Sequence, residues 1–410
     1  MSNGGGCRLC GAKLHRTFVD LGRSPLANSF LSSHELTLGE ITYPLHVYVC
    51  DSCLLVQLQE FARAENIFKD YLYFSSYSES WLRHCRDYAM RMITERQLGP
   101  HSLVVEVASN DGYLLQYFHE KSIKVLGIEP AANVASVAQD KGIATRVAFF
   151  GKELAQQLAG LGQRADLMVA NNVLAHVPNL NDFVAGFKAL LKPAGIATFE
   201  FPHLKRLVED RQFDTIYHEH FSYISLLVAE KLFHRHGLRI FDVEQLATHG
   251  GSLRLFVCHA EASPPRTQRA DSVAREERAA GFGEIDVYTG FARTVADIKA
   301  ELLTFLIDAR RAGKTVVGYG APAKGNTFLN YCGVGCEFIP YTVDVSPYKQ
   351  GRYLPGVQIP IRAPDHIFET KPDFVLILPW NLQEEVTSQM RRIRDWGGKF
   401  VIAIPHLTIF

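Results

Sequence analysis

The segment Val105-Glu-Val-Ala-Ser-Asn-Asp-Gly112 joins a short apolar run to a helical start, Tyr113-Leu-Leu115, through small and polar residues. A turn of this kind between a strand and a helix lets a ligand approach the backbone N–H groups at the helix N-terminus. About twenty residues further on, Gly127-Ile-Glu129-Pro130 places an acid at the tip of the next apolar run, where it can accept ribose hydroxyls. Working outward, apolar runs at Leu103–Ala108, Lys124–Ile128, Leu167–Ala170 and Ile196–Phe201 alternate with helical periodicity near 113–120, 131–140, 180–192 and 226–236. That is the rhythm of a mostly parallel α/β sheet. Phe241–Ala247 and Ser252–His259, joined through His249-Gly-Gly251, predict an antiparallel hairpin at its edge.

A parallel sheet closed by such a hairpin fits a methyltransferase sheet better than a dinucleotide-binding one. The strand ends then order as an S-adenosylmethionine site. Glu106, Ala108, Asn110 and Gly112 form the loop and Glu129 the ribose acid. Phe149 and Phe150 offer an adenine shelf, and Asn171 and Asn172 face the methyl group. The loop departs from the usual glycine pattern at Ala108 and Asn110. Alanine is tolerable there if the backbone needs no positive φ, and asparagine enters the left-handed region more readily than most residues. An ordinary strand–helix turn without ligand is the rival reading.

Two C-x2-C pairs, Cys7/Cys10 and Cys50/Cys53, predict a structural four-thiolate zinc site, since four thiolates leave no open coordination position. Residues 11–49, between the pairs, are too long for an ordinary ribbon and form a real insertion. The apolar–polar alternation over 14–60 is expected to fold as short strands around the metal. Cys85, Cys332 and Cys336 sit in apolar surroundings and are expected as buried core thiols.

Tyr217-His-Glu-His220 lies in an apolar frame. Two imidazoles, a phenol and a carboxylate suit proton abstraction beside a carbonyl: a base near pH 7 and donors for an enolate. A metal site is a poorer reading, because H-E-H lacks the i, i+4 spacing of one helix face. A purely structural polar cluster is the remaining one.

Residues 260–285 are the clearest break, read as a loop and an exposed helix; a long helical segment follows to about Arg311. A second α/β rhythm starts at Thr315-Val-Val-Gly-Tyr-Gly320, with strands near 338–343, 373–378 and 399–404. Gly318-Tyr-Gly-Ala-Pro-Ala-Lys324 opens a helix whose N–H groups, with Lys324, can hold a diphosphate, and Lys349 and Arg352 add cations. A separate NAD site with Asp344 as ribose acid, or a structural turn, are the alternatives.

The ordered set Cys7-x2-Cys10, Cys50-x2-Cys53, Glu106–Gly112, Tyr217-His-Glu-His220, His249-Gly-Gly251 and Gly318–Lys324 resembles the sugar C-methyltransferases that act on nucleotide-linked deoxysugars, over essentially the whole chain. The resemblance implies methyl transfer from S-adenosylmethionine to C-3 of an NDP-4-keto-6-deoxyhexose. His220 is then the general base, Tyr217 and Glu219 hold the sugar, and His176 contacts it. Tyr71, Tyr77, Tyr319, Lys324, Asn326, Lys349 and Arg352 become substrate-binding candidates. An O- or N-methyltransferase of another small molecule is the alternative.

The expected fold is α/β: a zinc-binding domain over 1–70, a class I methyltransferase domain over 71–262, and a C-terminal Rossmann-like nucleotide-sugar domain over 263–410. The chain has 410 residues with 43 Lys+Arg against 43 Asp+Glu, which excludes a strongly basic nucleic-acid or anionic-membrane binder. No apolar run is long enough to span a bilayer, and the start lacks a secretory pattern, so a cytoplasmic chain is expected. The expected partner is the nucleotide-linked sugar, with no nucleic acid and no membrane, on a monomer or weak homo-oligomer.

Overall fold

The computed structural model describes residues 5–61 and 75–410. They fall into two compact units interleaved along the chain. The first comprises the residues up to Leu14, Cys50–His203 and Phe221–Glu284; the second comprises His15–Val49, Leu204–His220 and Ile285–Phe410.

The strands β1 (Arg16–Ser24) and β2 (Tyr43–Val49) pair antiparallel within the second unit. In the first unit, β3 (Val56–Leu58) precedes a seven-stranded sheet. This sheet holds the parallel strands β4 (Leu103–Val107), β5 (Lys124–Ile128), β6 (Thr145–Arg146), β7 (Ala165–Asn171) and β8 (Leu191–Pro202). A short β9 (Ser222–Tyr223) pairs with β3, and the hairpin β10 (Leu238–Leu246) with β11 (Ser252–His259) adds antiparallel to β8. The spatial order is β10-β11-β8-β7-β4-β5-β6. The predicted parallel sheet with a terminal hairpin is therefore present, and the order reverses beside β4, where ligands bind in such sheets.

The helix Glu79–Glu95 starts at Ser78, whose hydroxyl accepts the Trp81 N–H. Cys85, Tyr88, Ala89 and Met92 recur at helical spacing and are buried against Val104, Leu167, Val169 and Ile196 of the sheet. A separate run of ring contacts links Phe183, Phe187, Phe199 and Phe233 at centroid distances of 4.5–5.2 Å. Each such buried ring contributes about 1.5–3 kcal/mol of apolar burial.

The second unit continues with the helix Phe291–Arg311 and a six-stranded sheet: β12 (Val316–Tyr319), β13 (Thr342–Val343), β14 (Ile361–Arg362), β15 (Phe374–Ile377), β16 (Lys399–Ile402) and β17 (Thr408–Ile409). Its order is β14-β13-β12-β15-β16-β17, parallel except for β17. Phe18 on β1 stacks on Phe291 at 4.7 Å, tying the hairpin to the long helix.

Two details depart from the sequence reading. The helix Gln268–Ala279, expected to be exposed, buries Glu277 completely. Its carboxylate accepts the N–H groups of Leu226 and Leu227 at 2.6 and 2.9 Å and lies 2.7 Å from His203 Nε2, so three donors replace water. Cys336 is exposed, unlike Cys85 and Cys332. Among the described residues, no helix is long and apolar enough to cross a membrane.

Candidate functional site

The four cysteines converge. Each C-x2-C pair forms the same turn, with the N–H of Gly11 bonded to Cys7 O and that of Leu54 to Cys50 O; both donors have positive φ. The four Sγ atoms lie within 4.8 Å of one another, with Cys7–Cys53 at 3.4 Å and Cys10–Cys50 at 3.5 Å. A tetrahedral zinc with bonds of about 2.3 Å sets thiolates about 3.8 Å apart, so the cluster fits that ion with small adjustment. The buried Gln57 donates to Cys7 Sγ at 3.2 Å and accepts the Arg8 N–H at 2.9 Å, orienting the first turn.

At the end of β4 the loop winds through Ala108 (φ 57°), Asn110 (φ 48°) and Gly112 (φ 77°). The backbone thus does require positive φ at Ala108, the condition under which alanine is strained. Gly112 has a second constraint: a Cβ there would meet Ile143 Cδ1 at 2.4 Å. Glu129, at the tip of β5, accepts Asn110 N–H at 3.0 Å and Ala131 N–H at 2.9 Å. Burial raises its pKa, partly offset by those two donors.

Among the described residues, several buried polar atoms around this loop lack partners: Ser109 Oγ, Asp111 Oδ1, Asn171 Oδ1 and Asn172 Oδ1. Burial holds Glu106 well above the usual carboxylate range, against the Tyr113 phenol that lowers it. Orphaned groups cost about 1–3 kcal/mol each, so such a cluster at a strand-end loop fits a polar ligand. Asn172, with φ 53°, bonds its N–H to Glu200 O. His176 closes the short turn Leu174–His176.

The two predicted adenine-shelf residues differ. Phe149 is half exposed, whereas Phe150 turns its ring edge-on to Phe183 and Phe187 at 5.6 and 5.2 Å. Phe150 is spent largely on packing, and Phe149 remains the open apolar surface.

In the second unit, Tyr217-His-Glu-His220 follows the turn Phe213–Thr215. His220 Nδ1 is 2.8 Å from Thr215 O, and the Tyr217 and His220 rings lie 4.0 Å apart. A carbonyl only accepts, so Nδ1 carries the proton and Nε2 presents its lone pair. Burial pushes the Glu219 carboxyl up to about 7, although Asn28 donates to it at 2.6 Å. His218 faces Pro44 O at 3.2 Å and is lowered by burial. Asp214 is raised to about 6 by burial, against Lys324 and a 2.7 Å bond from Trp380 Nε1.

The C-terminal candidates are only partly brought together. Lys349 reaches the loop after β12, donating to Ala321 O at 2.9 Å beside Asp344 at 3.5 Å. Lys324 donates to Asn381 at 2.8 Å and lies over the Trp380 ring at 4.4 Å. Tyr319 is spent on Gln389, Asn326 on Ala27 O, and Arg352 is exposed near Phe30 O. Tyr71 and the side chain of Tyr77 lie outside the described residues. Asn28, Asp214 and Trp380 went unread in the sequence, because their roles come from contacts far apart along the chain.

Sheet order, strand-end acid and unfilled polar loop define a class I methyltransferase that uses S-adenosylmethionine, carrying a four-cysteine zinc centre. Family models agree along the chain: a zinc binding domain over residues 7–68, a methyltransferase domain over 80–243, and a C-methyltransferase C-terminal domain over 247–405. The C-methyltransferase NovU of Streptomyces niveus is 36% identical over 400 residues, 98% of this chain and 95% of that one. The chain belongs to this C-methyltransferase family.

Solved structures give looser likenesses. Magnesium protoporphyrin IX methyltransferase of Synechocystis PCC 6803, with bound SAM, is 14% identical and covers 49% of this chain and 100% of its own, with a TM-score of 0.37. The CcbJ methyltransferase of Streptomyces caelestis is 13% identical over 43% of this chain and 89% of its own, with a TM-score of 0.35. Likenesses at these scores settle neither substrate nor site residues.

Proposed function

We propose that this C-methyltransferase methylates C-3 of an NDP-4-keto-6-deoxyhexose through an enolate, with His220 as general base. The observation carrying the reading is the Nδ1 contact of His220 to Thr215 O, which leaves Nε2 as a fixed proton acceptor. The 4-ketone acidifies the C-3 hydrogen. Nε2 takes that proton, and the C–H electron pair moves into the enolate, whose oxygen is held by the Tyr217 hydroxyl and by Glu219. A carboxyl raised to about 7 retains its proton at neutral pH for a large part of the time and can donate to that oxygen. When bound, S-adenosylmethionine would supply an electrophilic methyl group on positively charged sulfur, with a neutral thioether as the leaving group. C-3 forms the new C–C bond with that methyl group, and His220 releases its proton to solvent.

In this reading His176 contacts the sugar, with Tyr71 and Tyr77 as further candidates. Lys324, Lys349 and Arg352 serve the nucleotide, its diphosphate meeting the two lysines. Glu106, Ala108, Asn110, Gly112, Glu129, Phe149, Asn171 and Asn172 hold the methyl donor.

The test is incubation of the zinc-loaded enzyme with an NDP-4-keto-6-deoxysugar, first in D2O without methyl donor. Deuterium should enter at C-3, and adding the donor should give a product heavier by one carbon-bound methyl. His220→Asn should lower both rates about 10²–10⁴-fold, the usual worth of a general base. Methyl on oxygen or nitrogen, or an unaffected His220→Asn enzyme, would refute the assignment.

A further inference from the structure

The first cysteine turn does more than hold a metal. Arg8, between Cys7 and Cys10, spends its guanidinium on two backbone carbonyls. Nε donates to Pro178 O and Nη1 to Phe221 O, both at 3.1 Å, and the guanidinium lies over the Phe221 ring at 5.2 Å. Those carbonyls are notable for their neighbours: Pro178 follows His176 by two residues, and Phe221 directly follows His220. The same two segments bond each other through Phe221 N–H to Ala175 O at 2.8 Å. Arg8 is fixed in turn from the metal side. Its N–H donates to Gln57 Oε1, Gln57 donates to Cys7 Sγ, and its carbonyl accepts from Asn181 Nδ2 at 2.7 Å.

We infer that Arg8 is a positioning residue, through which the zinc turn sets the backbone next to His176 and His220. The inference rests on the proposed role of His220. A planar fork with fixed donors can bridge two carbonyls at once; a lysine ammonium on a flexible stem cannot hold both in one geometry. Zinc therefore serves the reaction without touching substrate: it fixes the turn from which the fork projects.

The test uses the full-length, zinc-loaded chain with Arg8→Lys and Arg8→Ala. Both should keep one zinc per chain and bind S-adenosylmethionine within threefold of the parent, because the cofactor loop makes no bond to Arg8. Turnover should fall about 10–100-fold, the usual consequence of misplacing a reacting group by about 1 Å. Amide exchange of peptides covering 174–178 and 217–223 should quicken in both variants, and millimolar guanidinium should restore part of the Arg8→Ala turnover. A folded, zinc-loaded Arg8→Lys enzyme with parental turnover and parental amide protection overturns the inference. Should Arg8→Ala lose zinc or unfold, the lysine variant alone decides. If the parent enzyme proves not to need His220, the proposed chemistry fails, while the amide-exchange result still decides whether Arg8 sets these two segments.

Discussion

The two sheets solve the same local problem and end in different states. After β4 the loop N–H of Asn110 is taken by Glu129 at the tip of β5; after β12 the loop N–H of Ala321 is taken by Asp344 near the tip of β13, at 2.8 Å. Among the described residues no cation is bonded to Glu129, and the loop beside it leaves Ser109 and Asp111 with unfilled polar atoms. Asp344 also accepts the Ser346 N–H and sits beside Lys349, so the acid is satisfied from within the fold. Among the described residues only Asn326 Oδ1, in the helix that follows its loop, is left without a partner there. A strand-end acid bound to a loop N–H is thus a scaffold feature. What sets the first loop apart, and supports the proposal that it holds the methyl donor, is the greater number of unsatisfied polar atoms around it.

The largest break of this contrast comes from the metal. Structural zinc in small zinc-finger peptides is worth about 10–16 kcal/mol. Chelation, or Cys50→Ser, should therefore expose the segments around both cysteine turns to limited proteolysis and abolish methyl transfer. Cleavage within 315–405 should change far less. Next in size, Glu129→Ala should weaken S-adenosylmethionine binding about 10²-fold, by loss of the proposed ribose acceptor and of the carboxylate that orders the loop. Asp344→Ala should leave that affinity unchanged by calorimetry; a matching loss would erase the distinction drawn between the loops.

The buried acids divide by sign. In the first unit, burial pushes Glu200 up, but His84, Arg254 and Thr248 outweigh it and bring the pKa to about 2. Its contribution to stability is present above the unfolded pKa and is lost as pH falls toward 2. In the second unit Glu219 and Asp214 are raised to about 7 and about 6. The folded state binds their protons more tightly than the unfolded chain, so their contribution is full below about pH 4 and fades as pH rises to 7. Glu219→Gln keeps the Asn28 contact without the ionisation. It should be more stable than the parent at pH 8 by up to about 3 kcal/mol, with that advantage shrinking toward zero by pH 4–5. Denaturant titrations at both pH values check this.

What the sequence made legible follows the range of the interactions. Alternating apolar runs, paired cysteines and an acid about twenty residues past a loop are local patterns, and they yielded the first sheet, the metal centre and Glu129. Asn28 on Glu219, Trp380 on Asp214 and Glu277 on His203 join positions from 74 to 191 residues apart. No periodicity encodes such pairs. Glu277 lies in a charged helix that reads as solvated, and only three converging donors make its burial tolerable. Phe149 and Phe150 form one apolar pair in the sequence, yet one ring is drawn into packing by Phe183 and Phe187. Ala108 fails differently: composition records a missing glycine but not whether the backbone needs one.

That last point separates the two loops most finely. The first carries a left-handed residue on Ala108 (φ 57°), ahead of Asn110 and Gly112, and the second on Gly320 (φ 88°). A Cβ at Gly320 would meet Pro379 Cδ at 2.5 Å and Cγ at 2.9 Å, ring atoms that cannot swing aside. Gly320→Ala therefore adds overpacking to the left-handed penalty and should cost about 2–4 kcal/mol. Ala108 already bears the left-handed penalty of about 1–2 kcal/mol, and glycine removes it while adding about 0.5–1 kcal/mol of unfolded-chain entropy. Ala108→Gly should thus stabilise the fold by up to about 1 kcal/mol, seen as a small rise in the denaturation midpoint. A loss of stability would mean that the methyl group of Ala108 makes packing contacts worth more than the strain it imposes.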